Sequence, residues 1–238
     1  MIIDATNMDY RRLNDEIRKT DCCRIENCIG QRFIGSGMKN QKIYISGISG
    51  NALGAYLTGA EIIAQGNAQD AVGDTMNDGK IIVHGNIGDA PGYAMRGGKI
   101  LIKGDAGYRV GIHMKEYREK KPQIIIGGKC GSFLGEYQAG GIVVILGLTE
   151  NDMPVVGNFP CTGMHGGKVF IRGNIDGVRF PHNVNVSTAT KSDLEEIMPL
   201  ICEFCDTFNY SLNDIMKEPF NIIVPDTNNP YKQMYVAN

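Results

Sequence analysis

Seven short apolar strands, each closed by a glycine, recur through the middle of this chain. The closing glycines are Gly47, Gly66, Gly85, Gly104, Gly128, Gly147 and Gly173. Four of the six intervals between them are nineteen residues, and the other two, twenty-four before Gly128 and twenty-six before Gly173, are nineteen plus a small insertion. A fixed short period marks a repeat architecture in which each unit buries its apolar face only by stacking on its neighbours. Nineteen residues hold one strand and its corners but no helix, which predicts a coil of parallel β-strands with about seven turns, one per closing glycine.

Aligned on the closing glycine, the positions four and two before it are Ile43 with Ile45, Ile62 with Ala64, Ile81 with Val83, Ile100 with Ile102, Ile124 with Ile126, Val143 with Ile145, and Val169 with Ile171. Side chains two apart share a strand face, so these pairs should line one interior wall with rungs about 4.8 Å apart. The residues just before the glycine (Ser46, Gln65, His84, Lys103, Gly127, Leu146 and Arg172) are mostly polar and should face outward. Glycines also recur at the corners. Gly47 is followed by Gly50 and Gly54, Gly85 by Gly88 and Gly92, Gly104 by Gly107 and Gly111, and Gly128 by Gly131 and Gly135; Gly66, Gln69 and Gly73 are a near match. At a tight stacked corner a Cβ would strike the neighbouring rung. Asn67, Asn86, Asp105 and Asn174 follow the closing glycines, and stacked amides there could bond to one another. A dinucleotide fingerprint needs one strand, one glycine turn and one helix start. Here the turn repeats four times with no helix pattern behind it, so the glycines read as structural.

A third column carries the functional hint. Three before each closing glycine stand Tyr44, Ile63, Ile82, Leu101, Ile125, Val144 and Phe170. Alternation points them away from the core, yet all are apolar, so something must cover them. One candidate is the chain's own amphipathic segment from Leu194 to Phe204. The other is a different protein.

Three segments follow from this pattern: residues 1–42 as an N-terminal helix and lead-in, 43–180 as the repeat block, and 181–238 as a helical segment and tail packed on it. Residues 9–20 are helix-prone, with Leu13 and Ile17 on one face, and residues 21–42 read as irregular. Ser192 with Glu195 fits a capping box for the terminal helix. A short helix is expected over Leu212–Lys217, a strand or extended tail over Phe220–Val224, and loop from Pro225 onward. The balance of 24 basic against 26 acidic residues gives no electrostatic reason to bind nucleic acid or an anionic membrane. Apolar runs fall far short of the roughly 20 residues a spanning helix needs, and no leader pattern precedes Asp4. Seven cysteines without framework spacing fit reduced thiols, so a cytoplasmic location is expected.

Long words recur in order along residues 28–180. They include Gly50-Asn51-Ala52-Leu53-Gly54-Ala55-Tyr56-Leu57, Gly66-Asn67-Ala68-Gln69-Asp70-Ala71-Val72-Gly73-Asp74-Thr75-Met76, Gly92-Tyr93-Ala94-Met95-Arg96-Gly97-Gly98, Gly111-Ile112-His113-Met114-Lys115, Gly131-Ser132-Phe133-Leu134-Gly135-Glu136-Tyr137-Gln138-Ala139-Gly140 and Gly163-Met164-His165-Gly166-Gly167. This stretch resembles the glycine-repeat (GXGXG) domain at the C-terminal end of the glutamate synthase large subunit, here as a separate polypeptide. Related repeats occur in a non-catalytic subunit of formylmethanofuran dehydrogenase. The resemblance implies a right-handed parallel β-helix without catalytic groups. It further implies a structural role in a complex that makes glutamate from glutamine and 2-oxoglutarate, with a glutamine amidotransferase subunit and an FMN- and iron–sulfur-containing synthase subunit as partners. No cofactor is expected in this chain itself. Self-association is a further arrangement open to it.

Few residues suggest chemistry of their own. Cys202 and Cys205 could form half a metal site, completed from Cys22, Cys23 and Cys28, but more simply lie beside an apolar helix face. Cys161 and His165 are four apart without an orienting third group. Asp70 and Asp89 share a column, with Asp74 nearby, as in carbohydrate-active solenoids, although corner carboxylates are usually turn formers. His84 falls in the outward polar column and His113 faces a loop. The basic excursion from Tyr108 to Pro122 reads as a solvated loop or a partner contact.

Overall fold

The computed structural model describes residues 1–150 and 154–226. Its element order is β1 (Ile2–Asp4), α1 (Tyr10–Ile17), β2 (Cys22–Ile29), β3 (Lys42–Ile48), β4 (Thr58–Ala64), β5 (Asp78–Val83), β6 (Lys99–Ile102), β7 (Gln123–Ile126), β8 (Ala139–Ile145), β9 (Gly166–Arg172), β10 (Val184–Thr188), α2 (Lys191–Phe208), α3 (Leu212–Ile215) and β11 (Phe220–Pro225). The strands form one eleven-stranded sheet in the order β1 to β9, then β11, then β10. Every neighbour pair from β1 to β9 is parallel.

The register follows the period. Ile43 pairs with Ile62, Ile62 with Ile81, Ile81 with Ile100, and the column continues through Ile124 and Val143 to Val169. All seven interior pairs are fully buried and belong to one core cluster. A second wall runs along the bridges Ser49, Ala68, Ile87, Ala106, Cys130 and Val156. A third interior column stands at the same interval: Met38, Leu57, Met76, Met95, Met114, Gln138 and Met164, all buried.

The stack begins one rung earlier than the glycine count implies. Residues 21–42 are not wholly irregular, because β2 pairs in parallel with β3 and brings the coil to eight rungs, β2 to β9. Nineteen positions before Gly47 stands Cys28, which pairs with that glycine across a bulge. The missing glycine hid the rung. In the outward polar column Gly127 and Leu146 are the exceptions, both buried, Leu146 in a second apolar cluster.

The corner glycines serve two different needs. At the middle position the need is space. A Cβ at Gly50 would overlap the carbonyl oxygen of Gly30, so the chain can pass that close only without a side chain. On later rungs the obstacle is a carboxylate: a Cβ at Gly88 would overlap Asp70 Oδ1, and one at Gly107 would overlap Asp89 Oδ1. At the third position the need is conformation, and Gly54, Gly73, Gly92, Gly111 and Gly135 all hold φ between +64° and +69°. The obstruction there is softer and comes from the core; at Gly111 a Cβ would lie 3.1 Å from Val143 Cγ2.

The amides of the Asn column do not stack on one another as expected. Instead each oxygen accepts from the backbone one rung on: Asn67 Oδ1 from Asn86 N–H (2.9 Å), and Asn86 Oδ1 from Asp105 N–H (2.9 Å).

Both ends of the coil are closed. At one end α1 lays Leu13 and Ile17 on the core, and buried Asn14 donates to Phe33 O and accepts from Gly35 N–H. Asp9 caps this helix by accepting from the N–H groups of Arg11 and Arg12. At the other end β11 adds antiparallel to β9, and β10 antiparallel to β11. Helix α2 starts from Thr190, not Ser192. Thr190 and Asp193 form a reciprocal capping box, because β10 delivers an extended residue there directly. The tail expected as loop beyond Pro225 falls at 227–238, outside the described residues. No helix among the described residues is long and apolar enough to cross a membrane.

Candidate interaction surface

Each column singled out above now has a place. The outer stripe is covered by the chain's own α2. Leu101, Ile125, Val144 and Phe170 are fully buried, Ile63 and Ile82 nearly so, in one cluster with Ile197, Leu200, Ile201, Phe204 and Phe208. Tyr44, near the end of the stripe, is only partly buried there. Glycine also serves this contact, since a Cβ on Gly127 would meet Phe204 Cζ at 2.7 Å.

Charge registers the helix on the stripe. The residues five before each closing glycine pair in register and form a column that includes Lys42, Lys80, Lys99 and Lys168. Glu203 binds both Lys80 and Lys99, and Glu196 binds both Lys121 (2.9 Å) and Lys168 (2.7 Å). Burial pushes both carboxyls up, but their paired lysine hydrogen bonds outweigh it and hold each below its ordinary value. Lys42 is paired with Glu61 instead (2.9 Å). The excursion from Tyr108 to Pro122 is pinned by Lys120 to Asp78 (2.7 Å) and by Lys121 to Glu196.

The residues weighed for chemistry are occupied by structure. Asp70 Oδ1 accepts Asp89 N–H (2.9 Å) and Asp89 Oδ1 accepts Tyr108 N–H (2.8 Å), so the carboxylates act as corner ties. The glycines Gly88 and Gly107 leave the room that these two ties need. Asp74 accepts the Thr75 hydroxyl (2.7 Å). Cys161 is fully buried, and burial pushes its thiol up to about 12, where a thiolate nucleophile is not available at neutral pH. His165 Nδ1 lies 2.9 Å from Gly163 O. Cys205 lies in the α2 apolar cluster, while Cys23 and Cys28 lie in the coil interior. Among the described residues no group of three or more His, Cys, Asp or Glu could hold a metal ion. His84 packs edge-on against Phe208, ring centroids 5.1 Å apart.

What the chain leaves uncovered is an aromatic corner. At nineteen-residue steps Phe33, Ala52, Ala71, Ala90, Arg109, Phe133 and Phe159 hold positive φ, the last two after the insertions; four residues further on, Tyr56, Thr75, Ala94, His113 and Tyr137 do the same. All of these side chains but Ala52 are at least partly exposed. Tyr56, Tyr93, Tyr137 and Phe159 are exposed at 55%, 41%, 45% and 62%. The rings are ordered against one another: His113 stacks on Tyr137 (5.2 Å), Tyr93 meets His113 edge-on (5.9 Å) and Phe133 stacks on Phe159 (5.5 Å). Arg109 lies over Phe133 at 5.0 Å and bonds Glu136 at 3.2 Å. Strand periodicity could not find this row, because its residues sit in turns.

Comparison with known proteins agrees with this architecture. A protein of Methanocaldococcus jannaschii, described as uncharacterized, is 43% identical over 253 aligned positions, covering 100% of this chain and 97% of that one. A chain in the crystal structure of the formyltransferase/hydrolase complex from Methylorubrum extorquens, determined with methylofuran, superposes with a TM-score of 0.64 at 18% identity, over 92% of this chain and 88% of that one. That likeness is one of fold. The family described by the GXGXG motif matches residues 5–226, and the chain therefore belongs to the GXGXG-motif family.

Proposed function

We propose that this chain is a non-catalytic scaffold subunit of a multi-subunit enzyme complex, and that its aromatic corner is the surface its partners use. The observation that carries the reading is a contrast. The apolar stripe is spent on α2 and the corner carboxylates on backbone ties, while an ordered aromatic row stands in solvent. Rigid aromatic side chains with polar tips give large contact area at low entropic cost, which is why interfaces are rich in them.

For the complex itself we favour a glutamate synthase type, on the repeated words from Gly50 to Gly167. Its partners would be a glutaminase subunit and a synthase subunit holding FMN and an iron–sulfur cluster, with the solenoid keeping the two in register. The fold neighbour supports a second reading, a subunit resembling that of a formyltransferase/hydrolase complex. Isolation of the tagged chain from its own organism discriminates between them. A flavin-containing companion and glutamine-dependent glutamate formation support the first; a formyl-transferring companion supports the second. Hydrolysis of a polysaccharide by the chain alone would contradict both.

A further inference from the structure

Among the described residues the sheet ends in two unpaired edges, β1 and β10. β1 is blunted. It is three residues long, its Asp4 carboxylate is engaged by Thr6 and Asn27, and α1 follows it onto the core. Short, charged edges of this kind discourage strand addition.

β10 is longer and lacks the charge. Its sequence, Val-Asn-Val-Ser-Thr, carries no charge and no proline, and its register against β11 is unbroken. Asn185 to Thr188 are all exposed, with Val186 at 39%. Asp226 N–H donates to Asn183 O and Ala189 N–H to Phe220 O, both at 2.8 Å, so the odd-numbered residues face β11. By alternation the N–H and C=O groups of Val186 and Thr188 and the C=O of Val184 point to the open edge, while Val184 N–H donates to Pro181 O (3.4 Å). Val186 also pairs with Ile223, which pairs with Val169. It is therefore the last member of the aliphatic column that begins at Ile43, and alone in that column it is left half-covered.

We propose that β10 is a strand-addition site whose occupant is the β10 of a second copy, antiparallel, with a two-fold axis through Val186. In that register Val186 opposes Val186, Val184 opposes Thr188 and Asn185 opposes Ser187. The two Val186 residues then exchange both backbone bonds, each Thr188 N–H donates to the Val184 O opposite it, and the aliphatic column continues from one solenoid into the next. No like charges meet, since His182 faces Thr190 and Lys191 faces Pro181 across the axis. The interface is isologous, as a two-fold dimer requires. It is independent of which enzyme complex the chain serves.

The test is sedimentation equilibrium of the full chain at tens of micromolar, with Val186→Lys and Val186→Glu as single variants. Each variant places like charges opposite each other on the axis and should weaken the dimer tenfold or more. An equimolar mixture of the two variants should restore it, which a folding defect would not allow. Circular dichroism unchanged from the parent confirms that the exposed edge tolerates both residues. A monomeric parent chain overturns the proposal, including one whose edge amides exchange slowly because residues 227–238 occupy β10. A dimer indifferent to both substitutions, or a mixture that stays monomeric, also overturns it.

Discussion

Replacing Phe204 by Ala should cost about 4 kcal/mol, the middle of the range for buried Phe-to-Ala changes. The ring is fully buried between α2 and the outer stripe. Removing it forfeits about 2–3 kcal/mol of apolar transfer, and the remainder depends on how far the hole can collapse. Here it collapses poorly. The floor beneath the ring is Gly127, which has no side chain to swing in, and the flanking rings of Phe208 (edge-on, 4.9 Å) and Tyr210 (stacked, 5.5 Å) lose their partner. Urea unfolding measures the loss, and the midpoint should fall with the slope unchanged. Phe159→Ala is the control, because that ring is 62% exposed and its removal should stay within about 0.5 kcal/mol. A loss below about 1 kcal/mol at Phe204 would refute the idea that α2 is docked through this ring.

Three further outcomes follow from the same structure. Gly50→Ala should destabilise by about 3 kcal/mol through overlap with Gly30 O, whereas Gly177→Ala, with φ +82° and open space around it, should cost only about 1–2 kcal/mol of left-handed strain; thermal unfolding of the two separates crowding from strain. A thiol reagent added to the native chain should label exposed Cys22 quickly and Cys202 more slowly, with Cys23, Cys28, Cys130, Cys161 and Cys205 reacting only after unfolding; fast labelling of Cys161 would be inconsistent with its buried position. The Glu196 and Glu203 carboxyls sit below their ordinary value of 4.5, so their lysine pairs contribute stability above that pH and lose it as pH falls through the depressed values. Glu203→Gln should therefore cost about 1 kcal/mol at neutral pH, discounted because the lysines remain about a third exposed, and progressively less as pH is lowered beneath 4.5.

The core was legible because two periods coincide in it. Alternation within a strand and the nineteen-residue step both point Ile81, Ile100 and Ile124 inward, and the structure stacks them so. The corner glycines were legible as a group, but not the division of labour between Gly88 and Gly107, which make room for a carboxylate, and Gly111, which supplies a left-handed turn. The helix over the stripe was legible in outline, and a closer reading could have registered it, since Glu196 and Glu203 are seven apart on one face opposite a lysine column. Other parts were written in a different code. β2 lacks the glycine that marks every later rung. β10 has almost no buried face, so no hydrophobic pattern announces it, and its place is set by β11 from a distant part of the chain. Thr190 and Ser192 both satisfy the capping pattern, and only the exit from β10 decides between them. The aromatic corner depends on positive φ at Tyr56, His113 and Tyr137, a backbone state that those side chains do not advertise.

Hydrogen exchange of the chain, free and then within the complex it is isolated from, tests most directly whether its role is to present one rigid face to partners. Protection gained around Tyr56, Tyr93, His113, Tyr137 and Phe159, with α2 amides unchanged, is the expected pattern. Loss of α2 protection together with new protection along Leu101, Ile125 and Phe170 would mean that partners displace the helix and bind the stripe, contrary to this account.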